Sequence, residues 1–212
     1  MTDRPRHRRS VIAGLGLALL ASLAWAGGVP SGGAGAPAPG GEAMAIGDPK
    51  APVTVVEYAS LGCPHCAHWA ETVFPAFRAR YVDTGRVRFE LREVLTGDTN
   101  LAAAGFLTAR CAGPAKYFQV VDAVYRAQAE AERQRNAYVV LLGIARDAGL
   151  TQAAFDACLA DPAGNAALDA RVDRARADGV SETPTFFVNG RRIVGALSVD
   201  ELGAAIALAG GR

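Results

Sequence analysis

The sequence has few of the residues that usually carry chemistry: only four cysteines and three histidines among 212 residues. It contains one C-x-x-C pair, no second such pair and no H-x-x-x-H spacing, so a structural zinc site would lack its second pair of ligands. The formal net charge is only +1, which gives no argument for nucleic-acid or membrane-surface binding. Half of the residues are hydrophobic, enough for one good core but not for two full domains.

The longest apolar run stands at the N-terminus. Four arginines precede an apolar stretch from Val11 to Trp25, and Ala24-Trp25-Ala26 ends it with a small-x-small pattern. This order is typical of a secretory signal and predicts that residues 1–26 are removed. Arg8-Arg9 resembles the start of a twin-arginine signal, although ordinary Sec export is an equal alternative. A retained signal that tethers the protein to a membrane is the other alternative, although fifteen apolar residues are short for a bilayer span.

The next segment, residues 27–44, is rich in Gly, Ala and Pro without periodicity. Such a composition predicts a flexible linker. We therefore expect the folded part to occupy residues 45–209. No internal repeat is visible in it.

The C-x-x-C pair is Cys63-Pro64-His65-Cys66. A β-branched run, Val53–Tyr58, precedes it and predicts a strand. Gly62 ends this extended segment, and apolar residues with helical spacing follow. Cys63 should therefore begin a helix, where unpaired backbone N–H groups and the helix dipole favour a thiolate. Cys66 falls on the buried stripe of the same helix, so Cys63 is the attackable sulfur and Cys66 the resolving one.

The remaining pattern predicts strand and helix in a recognisable order. A strand over Val87–Leu91 is followed by an almost wholly helical block at about 98–178, and then by two short strands and a last helix. Asn189-Gly190 joins the two strands and is a strong hairpin signal. Ser198 and Glu201 form a capping box before the last helix. The first helix should kink at Pro75. Five helices are expected in the block, at Leu101–Cys111, Ala115–Arg133, Tyr138–Ala148, Gln152–Leu159 and Ala163–Asp178.

This order is βαβ, a helical block, then ββα, which predicts an α/β protein with a thioredoxin-like fold and a large all-helical insertion. The chain resembles the DsbA-type thiol:disulfide oxidoreductases of the bacterial cell envelope. The resemblance rests on Val55–Tyr58 leading into Cys63–Cys66, on the long helical insertion, and on the segment Val180–Gly190. It covers almost all of residues 45–209.

The resemblance implies roles for individual residues. Pro184 should follow a cis peptide bond and face the dithiol, and Thr183 should offer a backbone edge to an extended substrate segment. Pro64 and His65 lie between the two cysteines, where His65 is expected to tune the redox properties. Glu57 corresponds to a buried acid beneath Cys66 that helps move its proton.

For two of these residues, Glu57 and Pro184, the sequence alone also allows another interpretation. Glu57 is either buried, where an unpaired carboxylate is costly, or turned outward on its strand. Arg92 is a basic residue that could pair with it. Pro184 could also simply begin a strand.

The other two cysteines, Cys111 and Cys158, lie in different helices of the insertion. In an exported protein a structural disulfide between them is favoured over two buried thiols, and it would close a loop of 48 residues.

The implied function is an exported, periplasmic or cell-envelope oxidoreductase that introduces disulfides by dithiol exchange at Cys63 and Cys66, with no cofactor. Its expected partners are reduced or unfolded exported proteins and a membrane reoxidant resembling DsbB, and the protein itself is expected to be a monomer. Disulfide isomerase or reductase is the first alternative, because Thr183 is more familiar in isomerase-like members than in the strong oxidants. A copper carrier that uses the two thiols and a histidine is the second.

Overall fold

The protein is described by a computed structural model that covers residues 43–210. The predicted signal at 1–26 and nearly all of the predicted linker lie outside the described residues. Five strands form one mixed sheet: β1 (Met44–Ile46), β2 (Val53–Ala59), β3 (Val87–Glu93), β4 (Thr185–Val188) and β5 (Arg191–Val194).

The sheet order is β1-β3-β2-β4-β5. Only the β2–β3 pair is parallel, and the three other pairs are antiparallel. Because β2 is central and both of its faces are covered, six of its seven residues are buried, as expected for such a strand. The sequence did not predict β1. Three residues are too few for a periodic pattern, and this edge strand exists because it pairs with β3.

The helix that follows the dithiol is broken. It comprises α1 (Pro64–Thr72), α2 (Phe74–Phe77) and a π-helical turn at Arg78–Val82. Pro75 has no N–H to donate to the preceding turn, so the interruption at Val73 agrees with the predicted kink. The π-helical turn was not predicted.

Five helices separate β3 from β4 and confirm the predicted helical insertion. They are α3 (Thr99–Cys111), α4 (Tyr117–Gln134), α5 (Ala137–Asp147), α6 (Gln152–Ala160) and α7 (Pro162–Ala177). The last helix, α8 (Val199–Leu208), starts with the predicted capping box, in which Glu201 N donates to Ser198 Oγ at 3.2 Å and Ser198 N donates to Glu201 Oε2 at 2.8 Å. None of the helices within residues 43–210 is long and apolar enough to cross a membrane.

The hairpin between β4 and β5 is also as predicted. Asn189 and Gly190 both have positive φ angles, 45° and 85°, which is the requirement of a type I′ turn. Asn189 Oδ1 also accepts a hydrogen bond from Thr54 N at 2.8 Å. The turn is therefore attached to the central strand.

Trp69 connects α1 to the sheet. Its side chain is 1 % exposed and its ring lies 4.9 Å from the ring of Phe186 on β4, measured between centroids. Its Nε1 donates to Leu197 O at 2.7 Å. Burial of a large aromatic side chain with its polar atom satisfied gives strong, directional packing. This contact helps to hold α1, and with it Cys63 and Cys66, over the sheet.

Cys111, at the end of α3, forms a disulfide with Cys158 of α6. Their Cα atoms are 6.3 Å apart, within the normal range for a disulfide. The bond favoured from the sequence is thus present. It joins the first helix of the insertion to the fourth.

Candidate dithiol active site

The dithiol lies where β2 passes into α1. Cys63 is the N-cap residue, with an extended backbone (φ −94°, ψ 118°), and Pro64 is the first helical residue. Proline suits this position because the first N–H of a helix has no partner within the helix. Cys63 N donates to Ser60 O at 3.1 Å. The predicted helix N-terminus at Cys63 is confirmed.

The two sulfurs have different environments. Both are free thiols, and the residues are 7 % and 0 % exposed for Cys63 and Cys66. The pKa of Cys63 is lowered to about 5, chiefly by a hydrogen bond from the Cys66 thiol. Burial opposes this shift, while a Thr183 hydrogen bond and the backbone N–H groups of Cys66 and His65 support it. These donors favour the thiolate over the thiol.

Cys66 behaves in the opposite way. Its pKa is raised far above that of an ordinary thiol, first by its hydrogen bond to Cys63, then by burial and by the nearby carboxyl of Glu57. Cys66 therefore keeps its proton at neutral pH while Cys63 has lost its own. One sulfur is chemically activated and the other is protected.

Thr183 lies beside Cys63, and the peptide bond that follows it has the cis form that the resemblance implied. The Thr183–Pro184 peptide bond is cis, and the Thr183 carbonyl oxygen is 3.5 Å from Cys63 Sγ. Thr183 is partly exposed, whereas Pro184 is buried. Thr183, directly before the cis bond, thus forms one wall of the site next to the activated sulfur.

Glu57 is buried in the middle of β2, at 2 % exposure, and the outward-facing alternative is wrong. Its Oε1 has no hydrogen-bond partner within residues 43–210. Burial raises the pKa of this carboxyl to about 8, and the negative charge of Cys63 contributes. Glu57 is therefore mostly protonated at neutral pH, a condition in which a carboxyl can donate as well as accept a proton.

Arg92 is not the partner of Glu57. Its Nη1 donates to Tyr58 Oη at 2.7 Å and lies 3.6 Å from Asp178 Oδ2. Nη2 lies 3.4 Å from Glu90 Oε2. Arg92 belongs to a polar cluster around Tyr58 on the other face of the sheet.

His65 and His68 are both exposed on α1. The backbone N–H of His65 contributes to lowering the pKa of Cys63. A tuning role for its imidazole stays a prediction. Within the described part of the chain, no group of three or more His, Cys, Asp or Glu side chains is placed to hold a metal ion.

Several residues at the site were not predicted. Ser60 is fully buried, and its Oγ donates to Thr96 O at 2.8 Å and accepts from Thr96 N at 3.1 Å. Gln128 of α4 donates through Nε2 to Leu61 O at 2.8 Å and to Cys63 O at 3.2 Å. These contacts attach the loop in front of the dithiol to the segment after β3 and to the helical insertion.

Two glycines allow this close packing. A Cβ on Gly62 would lie 2.1 Å from Asp98 O, and one on Gly97 would lie 1.9 Å from Gly62 O. Gly97 also has a φ of +68°, which favours glycine. The sequence marked Gly62 only as the end of a strand. Its close approach to residues 97 and 98 could not be predicted from its neighbours.

Replacement of Glu57 by Gln should increase the free energy of unfolding by about 2 kcal/mol at neutral pH. The carboxyl has a folded-state pKa of about 8 against an ordinary value of 4.5. The contribution of this neutral carboxyl to stability is therefore fully present below about pH 4.5 and is lost as the pH rises through about 8, because the unfolded chain ionises first. Gln removes that loss, less the cost of burying its amide. Urea unfolding of the reduced protein at several pH values measures the difference.

The same experiment at about pH 4.5 is the control for Glu57→Gln, since both folded proteins then carry a neutral side chain at this position. The gain from Gln should be nearly absent there, so the variant should be less stable than the native protein by about the cost of burying its amide. A constant difference at all pH values would contradict a raised pKa for Glu57.

Comparison with known proteins agrees with this arrangement. The profile of the thioredoxin family matches residues 40–207. A Rickettsia conorii protein provisionally named a protein-disulfide oxidoreductase is 33 % identical over 165 residues, which are 77 % of this chain and 58 % of that protein. The chain thus spans little more than half the length of this curated relative.

Solved structures match over more of their length. The Wolbachia pipientis protein alpha-DsbA1 superposes with a TM-score of 0.72 and 27 % identity, over 79 % of this chain and 91 % of that one. A protein-disulfide isomerase from Novosphingobium aromaticivorans gives a TM-score of 0.64 and 25 % identity, over 78 % and 96 % of the two chains. With the family profile spanning most of the chain, and with the dithiol, the cis-proline and the helical insertion in place, the chain belongs to the thioredoxin family and to the DsbA type within it.

Proposed function

We propose that the protein is an exported thiol:disulfide oxidoreductase that introduces disulfides into other proteins by exchange at Cys63 and Cys66. One observation carries the proposal: an activated Cys63 and a fully buried Cys66 stand next to Thr183 and cis-Pro184. Thiol exchange requires one sulfur with a stable thiolate that a substrate can reach and a second that is shielded from it. Of the two cysteines only Cys63 has exposed surface, at 7 %. No metal or organic cofactor is needed for this chemistry.

The proposed reaction starts from the Cys63–Cys66 disulfide. A substrate thiolate attacks Cys63 Sγ, the bond between the two enzyme sulfurs breaks, and a mixed disulfide with Cys63 forms. Cys66 leaves as a thiolate and takes a proton. A second substrate thiolate then attacks the substrate sulfur of the mixed disulfide and releases Cys63 as a thiolate. The substrate has lost two electrons and the enzyme has gained them.

Glu57 fits the proton transfer at Cys66. The thiol of Cys66 strongly favours its protonated form, and the carboxyl of Glu57 has a pKa of about 8. It can therefore give a proton to Cys66 when the enzyme is reduced and accept it when the enzyme is reoxidised. A catalytic proton donor works best when its pKa lies near the working pH.

The low pKa of Cys63 determines the preferred direction of thiol–disulfide exchange. Because the thiolate is stabilised only when the dithiol is reduced, the reduced form gains stability relative to the disulfide form. That gain is present above the ordinary thiol pKa and is lost as the pH falls through about 5. A stabilised reduced form makes the disulfide form an oxidant of other dithiols.

The proposed substrates are reduced or unfolded exported proteins, and the proposed reoxidant is a membrane protein resembling DsbB. The basic and apolar start of the sequence supports export to the periplasm or cell envelope. In that compartment disulfides persist. A monomer suffices for this reaction, since all of its groups lie in one chain.

Isomerisation is the second candidate, and Thr183 favours it. This residue places a hydroxyl and a carbonyl beside Cys63. Both stabilise the reduced enzyme, the form whose Cys63 thiolate attacks an existing disulfide in isomerisation. The Novosphingobium relative is named as an isomerase. Both activities use the same two cysteines, so they differ in the preferred redox state of the enzyme.

The two activities can be separated with ribonuclease as substrate. We expect the oxidised protein to restore activity to reduced ribonuclease efficiently, with recovered ribonuclease activity as the measurement. Cys63→Ser should be inactive in the same assay. Efficient repair of scrambled ribonuclease together with poor oxidation of the reduced form would reject the oxidase proposal in favour of isomerisation.

A further inference from the structure

Thr96 lies in the segment between β3 and α3, close to the dithiol. Its backbone is held on both sides by the buried hydroxyl of Ser60. Its Oγ1 lies 2.7 Å from Thr183 Oγ1. The Thr96 hydroxyl is therefore presented to Thr183 by a backbone that is fixed on its N–H and its carbonyl side.

Each of these two hydroxyls has only one proton to donate, which limits the hydrogen bonds that the pair can make. A hydroxyl has one proton to donate and two lone pairs to accept. If Thr183 donates to Thr96, its proton is used and it has none for Cys63. If Thr96 donates to Thr183, the Thr183 proton is free to point to the sulfur.

We propose that Thr96 is a positioning residue of the dithiol: when Cys63 is a thiolate, the Thr96 hydroxyl donates to Thr183 Oγ1 and so directs the Thr183 proton to Cys63 Sγ. This direction reverses or relaxes when Cys63 is bonded to Cys66, because a disulfide sulfur is a weak acceptor. The pair of hydroxyls thus follows the redox state of the enzyme.

Two observations support this order of donors. The side chain of Thr183 makes a hydrogen bond that lowers the pKa of Cys63, which requires its proton to face the sulfur. The carbonyl oxygen of Thr183 is 3.5 Å from the same sulfur and can accept from the thiol but not from the thiolate. Thr183 therefore offers an acceptor to the protonated sulfur and a donor to the ionised one. Thr96 supports the second state because consecutive hydrogen bonds strengthen one another.

A purely structural role for Thr96 is the competing explanation. Its hydroxyl would then only join the segment after β3 to the start of β4. Loss of the hydroxyl would lower stability without changing the titration of Cys63. The two explanations differ in the pKa of one thiol, which can be measured without any substrate.

The test is the pKa of Cys63 in Thr96→Val, followed through the ultraviolet absorbance of the thiolate. Val keeps the shape of Thr and removes its hydroxyl. We expect the pKa to rise by about half a unit, since the supporting bond is one part of a charge-assisted hydrogen bond. Thr96→Ser, which keeps the hydroxyl, should leave the pKa unchanged. The other groups that act on Cys63, namely Cys66, His65, Glu57 and Tyr125, are the same in all of these proteins.

The matched control is the same substitution in a Thr183→Val background. Thr183→Val alone should raise the pKa by about one unit. Adding Thr96→Val should then have no further effect, because the hydroxyl through which Thr96 acts is gone. The redox equilibrium with glutathione should rank the proteins in the same order as the pKa of Cys63. Thr96→Val should therefore be less oxidising than the native protein.

An unchanged pKa in Thr96→Val would overturn the inference, and so would an equal shift in the presence and absence of the Thr183 hydroxyl. If Thr96→Val does not fold, Thr96→Ala provides the same comparison. The inference rests on the proposed exchange at Cys63 only for its effect on turnover. A protein with the expected titration but no ribonuclease oxidation would retain the role of Thr96 and lose the proposed function.

Discussion

Replacement of Cys66 by Ser should abolish oxidation, because the Cys63–Cys66 disulfide that starts the reaction cannot form, and should leave Cys63 trapped in mixed disulfides with oxidised partners. Cys63 keeps part of its activation in this variant, although it loses the hydrogen bond from the Cys66 thiol that is the largest cause of its low pKa. Its thiolate can still attack an oxidised substrate or glutathione disulfide. No second sulfur is then present to displace the bound partner. We expect turnover in the ribonuclease assay to fall by at least about a thousandfold, since both halves of a dithiol are required.

Mass spectrometry of Cys66→Ser incubated with glutathione disulfide measures the trapped species directly. One glutathione per protein should accumulate and remain after dilution. In Cys63→Ser, by contrast, the remaining thiol is fully buried. Its hydrogen bond to Cys63, the largest cause of its raised pKa, is lost, but burial and the nearby Glu57 carboxyl still raise that pKa. This thiol should react far more slowly with the same reagent, because the thiolate is the reactive form.

Equal labelling of the two variants would contradict the assignment of Cys63 as the attacking sulfur. Faster labelling of Cys63→Ser would reverse it. The comparison does not depend on the physiological direction, because both oxidation and isomerisation require the same asymmetry between the cysteines.

The elements predicted correctly from the sequence have strong local signals. Asn189-Gly190 requires two consecutive positive φ angles, and few other pairs adopt them. Ser198 and Glu201 satisfy each other within one turn of helix. Cys63 follows a buried strand and precedes a helical stripe. In each case the residues that determine the structure lie within a few positions of one another.

The residues missed at the site are brought there by contacts distant in sequence. Thr96 meets Thr183 across 87 positions and Ser60 across 36. Gln128 reaches Leu61 across 67. Threonine, serine and glutamine at these places have no periodic or motif signal, since their role depends on which loops the sheet order brings together. Only the folded arrangement reveals them.

Arg92 is a candidate partner of Glu57 in the sequence, and the pairing of β2 with β3 excludes it. In the parallel register of β2 and β3, Arg92 is paired with Tyr58, whereas Glu57 is paired with Leu91. Successive side chains of a strand point to opposite faces of the sheet. Arg92 is therefore placed with Tyr58 on the face away from Glu57. The alternation along one strand was visible in the sequence, but the register between two strands was not.

Removal of the Cys111–Cys158 disulfide should lower the free energy of unfolding by about 2–4 kcal/mol. The bond joins residues separated by 47 positions, and closing so long a loop removes much conformational freedom from the unfolded chain. Small domains have only about 5–15 kcal/mol of stability in total. The double variant Cys111→Ala/Cys158→Ala, unfolded in urea with the active-site dithiol reduced, measures the effect. Its transition should also be steeper, because the unlinked unfolded chain exposes more surface.

The single variants separate the bond from the side chains. Cys111→Ala and Cys158→Ala each abolish the bond, so each should lose nearly as much stability as the double variant. The extra loss at Cys158 should be small and reflect its burial, at 5 % exposure. The pKa of Cys63 should not change, because the groups that lower it belong to Cys66, Thr183 and His65. A double variant as stable as the native protein would show that this bond does not constrain the unfolded chain, and a changed Cys63 pKa would show that the insertion acts on the dithiol.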